Sequence, residues 1–271
     1  MRTAIVDGIF YPADKKALED KVKELLEDAG QGADTAADAS AIVVPHAGYN
    51  YTGALAAAGF KSAAERPIRT VVFLAPVTRD AQDGLFLCGY KAFQTPLGEV
   101  PVDREKVTAL LNNKGRFAIN QFPFLEEHSI EVQLPFVQHL WPEAQIVPVH
   151  MGRQNPGTVK QLAKALKEVF KEEMESTLFV VSANTSPYLQ RPLAQEYADA
   201  FLSLVTAGGS EAILAQLQKR RPLPGGTGCA AAVLGLAEAA PRVTVLGTSD
   251  SGGDKIVCYA SLAISFLLYR R

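Results

Sequence analysis

The 271-residue chain has no run of about 20 consecutive apolar residues, so we expect no membrane-spanning helix. Asp7 and Pro12 interrupt the first apolar residues, which is not the pattern of a signal peptide. Its cysteines, Cys88, Cys229 and Cys258, are odd in number and lack the CxxC spacing of redox and zinc motifs. We therefore expect reduced thiols in a cytoplasmic protein.

Excess charge of either sign is also missing. The chain has 27 basic and 29 acidic residues, so its net charge of −2 gives no reason to expect nucleic acid as a partner. No repeat, low-complexity tract or Gly/Ser-rich linker divides it. We predict a single domain over residues 1–271.

Short β-rich runs alternate with stretches of helical periodicity along most of the chain. The predicted strands are Ala41–Val44, Thr70–Leu74, Ile146–Val149, Leu178–Val181, Val243–Leu246 and Ile256–Leu262. The predicted helices are Lys15–Leu26, Val159–Glu173, Pro192–Val205, Glu211–Gln218 and Cys229–Ala239. Near-continuous apolar strands indicate a sheet that is covered on both faces. We predict an α/β fold with a central, largely parallel or mixed sheet flanked by helices. The turn-rich segment Leu85–Asp103 instead predicts a hairpin or edge excursion.

Polar residues lie within a few positions after the ends of four of the predicted strands. His46 follows the first of them, and Thr78, His150 and Asn184 follow three others. Ligands of open parallel sheets bind beyond the carboxyl ends of the strands, so these residues are candidates for a pocket. Polar residues also lie at the ends of parallel strands in many proteins that bind no ligand there. A role of His46 in a binding pocket and a purely structural role therefore both stay open.

His128 precedes an apolar helical pattern that contains Val132 and Phe136. Ser129 is a plausible N-cap, and Glu127 near the first turn would suit the helix dipole, so this segment has a structural explanation as well as a functional one. His139 falls late in the same pattern, where a surface position suits the dipole.

Cys229 lies in a glycine-rich turn, GGTGC, that opens a predicted helix. A helix N-terminus stabilises a thiolate, which suits a metal ligand or a nucleophile. A small buried residue in an Ala-rich helix is the equally good alternative. No Gly-Lys-Ser/Thr or GxGxxG signature supports a phosphate site here.

Five ordered segments resemble the Memo-like family, the family of AmmeMemoRadiSam system protein B. They are PHAGYNYTG at 45–53, QTPLGEVPVD at 94–103, EHSIEVQLPF at 127–136, DGIFYP at 7–12 and IVCYAS at 256–261. The resemblance implies the fold of class III extradiol (LigB-like) dioxygenases, which bind non-haem iron through two histidines and a carboxylate. It also implies a metal pocket in which His46 matches the first histidine and Cys229 matches a cysteine at the carboxylate position.

The chain departs from the family at the remaining metal positions. Ala75-Pro-Val-Thr78 stands where the family has GPxH, and Ala183-Asn-Thr-Ser-Pro187 stands where it has SDxSH. Thr78 and Pro187 cannot replace imidazole as ligands, and Asn184 lacks the charge of aspartate. One imidazole and one thiolate are too few for a stable zinc, copper or iron site. We expect no metal cofactor unless His128, His150, Asp80 or Asp250 completes the set.

The pocket candidates are His46, Tyr49, Thr78, His128, Glu131, Asn184 and Cys229, and any metal would use His46, Cys229, His128 or His150. Three functions remain open. One is an accessory component that binds a ligand or a protein, and another is an iron- or copper-dependent oxidoreductase with a rearranged ligand set. The third is a hydrolase that uses Cys229. The family name implies a radical-SAM protein as a partner; this chain has no CxxxCxxC motif of its own, and we expect no nucleic-acid or membrane partner.

Overall fold

The centre of the fold is an eight-stranded mixed sheet. It is seen in a computed structural model that describes residues 1–29, 38–78, 82–113, 117–207, 209–219 and 222–266. Two further pairs of strands lie outside this sheet, and helices cover both of its faces. The predicted α/β class with a mixed central sheet is confirmed.

The strands in these ranges are β1 (Ala41–Val44), β2 (Thr70–Pro76), β3 (Leu85–Leu87), β4 (Ala92–Thr95), β5 (Gly98–Pro101), β6 (Phe117–Ile119), β7 (Gln145–Met151), β8 (Thr177–Ser182), β9 (Leu189–Gln190), β10 (Arg242–Asp250), β11 (Lys255–Ile256) and β12 (Cys258–Ser265). The α-helices are α1 (Lys15–Asp28), α2 (Tyr49–Lys61), α3 (Arg104–Asn112), α4 (Phe122–Glu126), α5 (Leu134–Leu140), α6 (Pro156–Phe170), α7 (Arg191–Thr206), α8 (Ser210–Gln218) and α9 (Thr227–Leu234). Short 3-10 helices cover Glu131–Gln133 and Lys171–Ser176. None of the described helices is long and apolar enough to cross a membrane.

The strand order in the main sheet is β10-β12-β1-β8-β2-β7-β3-β6. The four central strands, β1, β8, β2 and β7, run parallel, whereas β12 and β3 pair antiparallel with their inner neighbours. Almost every residue of the central strands is buried, which explains their continuous apolar runs. The carboxyl ends of all four strands lie on the same side of the sheet, which we call its carboxyl edge; the outermost strands, β10 and β6, are its edge strands.

Among the predicted elements whose boundaries differ from the structure, two differ for a clear physical reason. The predicted helix Val159–Glu173 runs from Pro156 to Phe170 instead, and the predicted strand Val243–Leu246 extends from Arg242 to Asp250. The predicted strand Ile256–Leu262 is interrupted at Val257, whose N–H donates to Ser251 Oγ at 3.0 Å. As a result, β11 pairs with β9 while β12 joins the main sheet. The predicted helix Cys229–Ala239 ends at Leu234, since Gly235 weakens helix propagation and its N–H closes the last turn.

The turn-rich segment behaves as predicted. Its first part, β3, is an antiparallel neighbour of β7 near the edge of the main sheet. The rest forms the two-stranded β4–β5 hairpin. Gly98 supplies the positive φ of +127° that this tight hairpin requires.

Candidate functional site

His46 lies at the carboxyl edge of the sheet, directly beyond β1. Its backbone N–H donates to Asn184 Oδ1 at 3.1 Å, and its Nδ1 lies 3.1 Å from Ser182 Oγ at the end of β8. The Ser182 hydroxyl already donates its only proton to the Ser129 carbonyl oxygen at 2.6 Å. The hydroxyl must therefore accept from Nδ1–H, which leaves the lone pair of His46 on Nε2.

A second imidazole lies against the first. The ring centroids of His46 and His128 are 5.9 Å apart in an edge-to-face arrangement, and the Phe10 ring also packs against His128, with centroids 4.6 Å apart. Burial, followed by repulsion from His128 whenever that ring is protonated, lowers the pKa of His46 to about 3. Burial also lowers the pKa of His128, although the carboxylates of Glu127 and Glu131 oppose this shift. Both rings are therefore neutral at pH 7.

Thr78 takes part in the site through a carboxylate. The Thr78 N–H and hydroxyl both donate to Glu127 Oε1 at 2.7 Å, which links the end of β2 to the segment that carries His128. The interpretation of Glu127 as a charge in a helical first turn is therefore wrong. Ser129 is not an N-cap either, because a 3-10 turn starts at Glu131 and α5 begins only at Leu134.

Cys229 lies in the first turn of α9, as predicted, but the side chain is completely buried. Burial raises the pKa of its thiol to about 12, the opposite of the thiolate stabilisation expected at a helix N-terminus. The helix dipole is therefore the weaker effect at this position, because desolvation of an anion in an apolar interior costs more.

We predict that Cys229 does not react with iodoacetamide or a maleimide in the folded protein. All three thiols are buried, so labelling should remain near zero under native conditions and reach all three cysteines only after denaturation. Mass spectrometry of intact protein measures this directly. Rapid native labelling of Cys229 would contradict the burial that we describe.

Glu131 and Tyr49 are both structural rather than open to the pocket. The Glu131 carboxylate is buried, pairs with Arg2 Nη1, and accepts from the N–H groups of Ile5 and Val6 at 3.0 Å. Tyr11 donates its hydroxyl proton to Glu131 Oε1 at 2.6 Å. The Tyr49 hydroxyl donates to the Val132 carbonyl oxygen at 2.8 Å, and burial raises its pKa.

His150 lies in β7 and is 1% exposed. Its ring packs against Phe124 with centroids 4.7 Å apart, and its Nδ1 has no hydrogen-bond partner among the described residues. Burial lowers the pKa of His150 to about 4, although the backbone of Pro76 opposes the shift. We interpret His150 as a neutral core histidine.

This shift has a consequence for stability. Between pH 6.5 and about 4 the unfolded chain protonates His150 while the folded chain does not, so stability falls as the pH falls. We predict that His150→Leu lowers the slope of the unfolding free energy against pH by about 1.4 kcal/mol per pH unit between these two pH values. Urea unfolding at several pH values measures it, with exposed His139→Leu as the control that keeps the wild-type slope. An unchanged slope in His150→Leu would show that this ring is protonated in the folded state.

The donors do not fit the metal site that the family resemblance implies. Within the described ranges, no group of three or more His, Cys, Asp or Glu side chains is placed to hold an ion. Asp250 belongs to β10 and pairs with Arg191 at 2.8 Å. Asp80 lies outside the described residues. His46 and His128 alone are fewer donors than a stable site needs.

Several residues of the site were not recognised in the sequence. Ser182 fixes the tautomer of His46, Phe10 covers His128, and Arg2 and Tyr11 bind Glu131. Tyr11 could have been found, since it lies in the segment DGIFYP at 7–12 that contributes to the family resemblance. Ser182 and Arg2 had none, because their roles depend on contacts between distant parts of the chain.

The fold and the site together define an α/β protein with two neutral imidazoles at the carboxyl edge of a mixed sheet. A family model described as "Memo-like protein" matches residues 2–263, and the chain belongs to this family. A MEMO1 family protein of Thermotoga neapolitana is 30% identical over 278 residues, covering 98% of this chain and 100% of that protein. Another, from Methanopyrus kandleri, is 31% identical over 214 residues and 76% of each chain. An uncharacterized protein from Escherichia coli K12 shares the fold, with a TM-score of 0.54, 13% identity and coverage of 83% of this chain and 99% of that one.

Proposed function

We propose that this Memo-like protein is an accessory component that binds a ligand or protein partner, without a metal-dependent oxidation of its own. The supporting observation is that the residues at the family's metal positions are hydrogen-bonded within the protein or buried. Thr78 donates to Glu127, Asn184 accepts from the His46 backbone, and Cys229 is buried. These groups maintain the structure of the site, which leaves the Nε2 lone pair of His46 and the half-buried ring of His128 for a ligand.

The rim of the site, by which we mean α4 and the cleft beside Glu127, favours a partner that docks on the surface. A cleft of about 70 Å³ lies beside Glu127 and is lined in part by Phe86 and Phe122, far smaller than the roughly 300 Å³ of a typical small-molecule pocket. Phe122 and Leu125 on α4 are 60% and 55% exposed. Exposed apolar side chains around a polar centre are typical of protein-binding surfaces.

Metal analysis tests the proposal. Protein purified without chelators should carry iron, copper and zinc well below one equivalent per chain, and His46→Ala should not change that content. His139→Ala is the matched control, because His139 is exposed on α5. Near-stoichiometric metal that is lost in His46→Ala and kept in His139→Ala would overturn the proposal.

That overturning result would support the second candidate, a metal-dependent oxidoreductase. The contact between His46 and His128 favours it, since ring centroids 5.9 Å apart are compatible with two imidazoles on one ion. The Cys229 hydrolase has no comparable support. Its nucleophile would need access to substrate and a base within hydrogen-bond reach, and Cys229 has no exposed surface.

A radical-SAM protein of the AmmeMemoRadiSam system is the partner that we propose from the family resemblance. Co-purification with a tagged radical-SAM component should fall at least tenfold in the double variant Phe122→Ser/Leu125→Ser, since such apolar anchors contribute about 1–2 kcal/mol each. Leu111→Ser on α3 is the control, with an exposed leucine outside this rim. Equal capture of the wild type, the double variant and Leu111→Ser would exclude this surface as the binding site of the partner.

A further inference from the structure

The strand β10 leaves one edge of the main sheet open. It pairs with β12 on one side, and within the described ranges no strand pairs with its other side. It has nine residues, longer than the five or six that are typical, and none of them is buried. By contrast, seven of the eight residues of the neighbouring β12 are buried.

Natural sheets protect their edges with short strands, lysines, prolines and bulges that twist the strand away. The opposite edge follows this rule, since β6 has only three residues. β10 contains neither lysine nor proline, and the interior from Val243 to Ser249 is uncharged. A bulge at Leu246 separates two paired halves of four residues each, so both halves keep regular strand geometry. β10 therefore offers the backbone groups with which another strand can pair.

The charges of β10 select a particular partner. Arg242 begins the strand and Asp250 ends it, so two copies in antiparallel orientation bring each arginine beside the other copy's aspartate. Parallel pairing would instead place like charges together. Asp250 already pairs with Arg191, but a carboxylate has about four acceptor sites and retains room for a second cation.

We propose that two copies of this chain join through β10, antiparallel about a two-fold axis near Leu246, to form one continuous sheet. Such an interface is isologous, as in most homodimers, because the same strand is used on both sides. Val245 lies next to the proposed axis, and its 42% exposed side chain gives the interface an apolar centre. α2 and α7 lie against β10 and would extend the contact on either side.

Analytical ultracentrifugation of the full chain tests this. The wild-type protein should sediment as a dimer whose mass falls towards that of a monomer on dilution. Val245→Lys should shift it to monomer at concentrations where the wild type is dimeric, because it places a charge at the centre of the pairing edge. Ile119→Lys is the matched control, since Ile119 is 43% exposed on the opposite edge strand. A wild-type monomer at every concentration, or a dimer that survives Val245→Lys, would overturn the proposal.

A charge exchange keeps the test decisive if Val245→Lys does not fold. Arg242→Glu and Asp250→Lys should each raise the dimer Kd on the order of tenfold, because each creates two like-charged pairs. Mixed in equal amounts, they should form a heterodimer with close to the wild-type Kd. A mixture that associates no better than its separate components would place the interface elsewhere.

Discussion

Glu131→Gln is expected to cost about 3–5 kcal/mol of unfolding free energy, because it removes the charge that compensates a buried arginine. The Arg2 and Glu131 side chains are 2% and 0% exposed, so water cannot replace the lost partner. Glutamine has only one acceptor oxygen, so its amide N–H₂ would face either the Arg2 guanidinium or the N–H groups of Ile5 and Val6. A loss of this size is a large part of the stability of an ordinary domain.

Glu24→Gln is the matched control. Glu24 makes the same type of ion pair, with Lys21 at 3.1 Å, but its side chain is 59% exposed. The expected loss is below about 1 kcal/mol. Urea denaturation of both variants measures the contrast, and equal losses would show that burial does not set the strength of the Arg2–Glu131 pair.

Gly226→Ala should destabilise the protein by about 2–5 kcal/mol through two effects that add. Gly226 has a φ of +91°, and an added Cβ would lie 2.5 Å from Ala183 Cβ. Ala183 lies between Ser182 and Asn184, the two hydrogen-bond partners of His46. The substitution therefore pushes the start of α9 against the segment that positions the site.

Gly98→Ala separates these two effects. Gly98 also has a positive φ, of +127°, but an added Cβ would meet no atom within 4 Å. Only the backbone cost of roughly 1–2 kcal/mol should remain. Thermal or urea unfolding distinguishes the variants, and a Gly226→Ala loss no larger than that of Gly98→Ala would mean that the contact with Ala183 relaxes freely.

The main elements of the fold were predictable because the parallel strands are buried on both faces. Continuous apolar runs such as Ala41–Val44 have no other simple explanation in a chain with helical stretches between them. The short helices α3 and α4 were missed, since their few turns carry little periodicity. Strand order was also beyond reach, because the insertion of β8 between β1 and β2 depends on contacts between residues far apart in sequence.

The site was predictable at the level of position but not of hydrogen bonding. His46, Thr78 and Asn184 all lie at strand ends on one edge, as expected from the parallel sheet. Which of their atoms are occupied depends on partners such as Ser182 and Glu127, and no local pattern indicates those pairs. Cys229 shows the same limit, because its burial depends on how α9 packs and not on the glycines before it. The single-domain organisation stays a prediction.

The Arg2–Glu131 contact also determines how early during synthesis the segment around Arg2 can reach its folded structure. The two residues are 129 positions apart, so a ribosome adding about 5–20 residues per second reaches Glu131 on the order of ten seconds after Arg2. During that interval the Val6 N–H and the Tyr11 hydroxyl, both of which donate to Glu131 in the folded protein, lack this buried acceptor. The segment from Arg2 to Tyr11 can therefore complete its buried hydrogen bonds only after the middle of the chain has been synthesised.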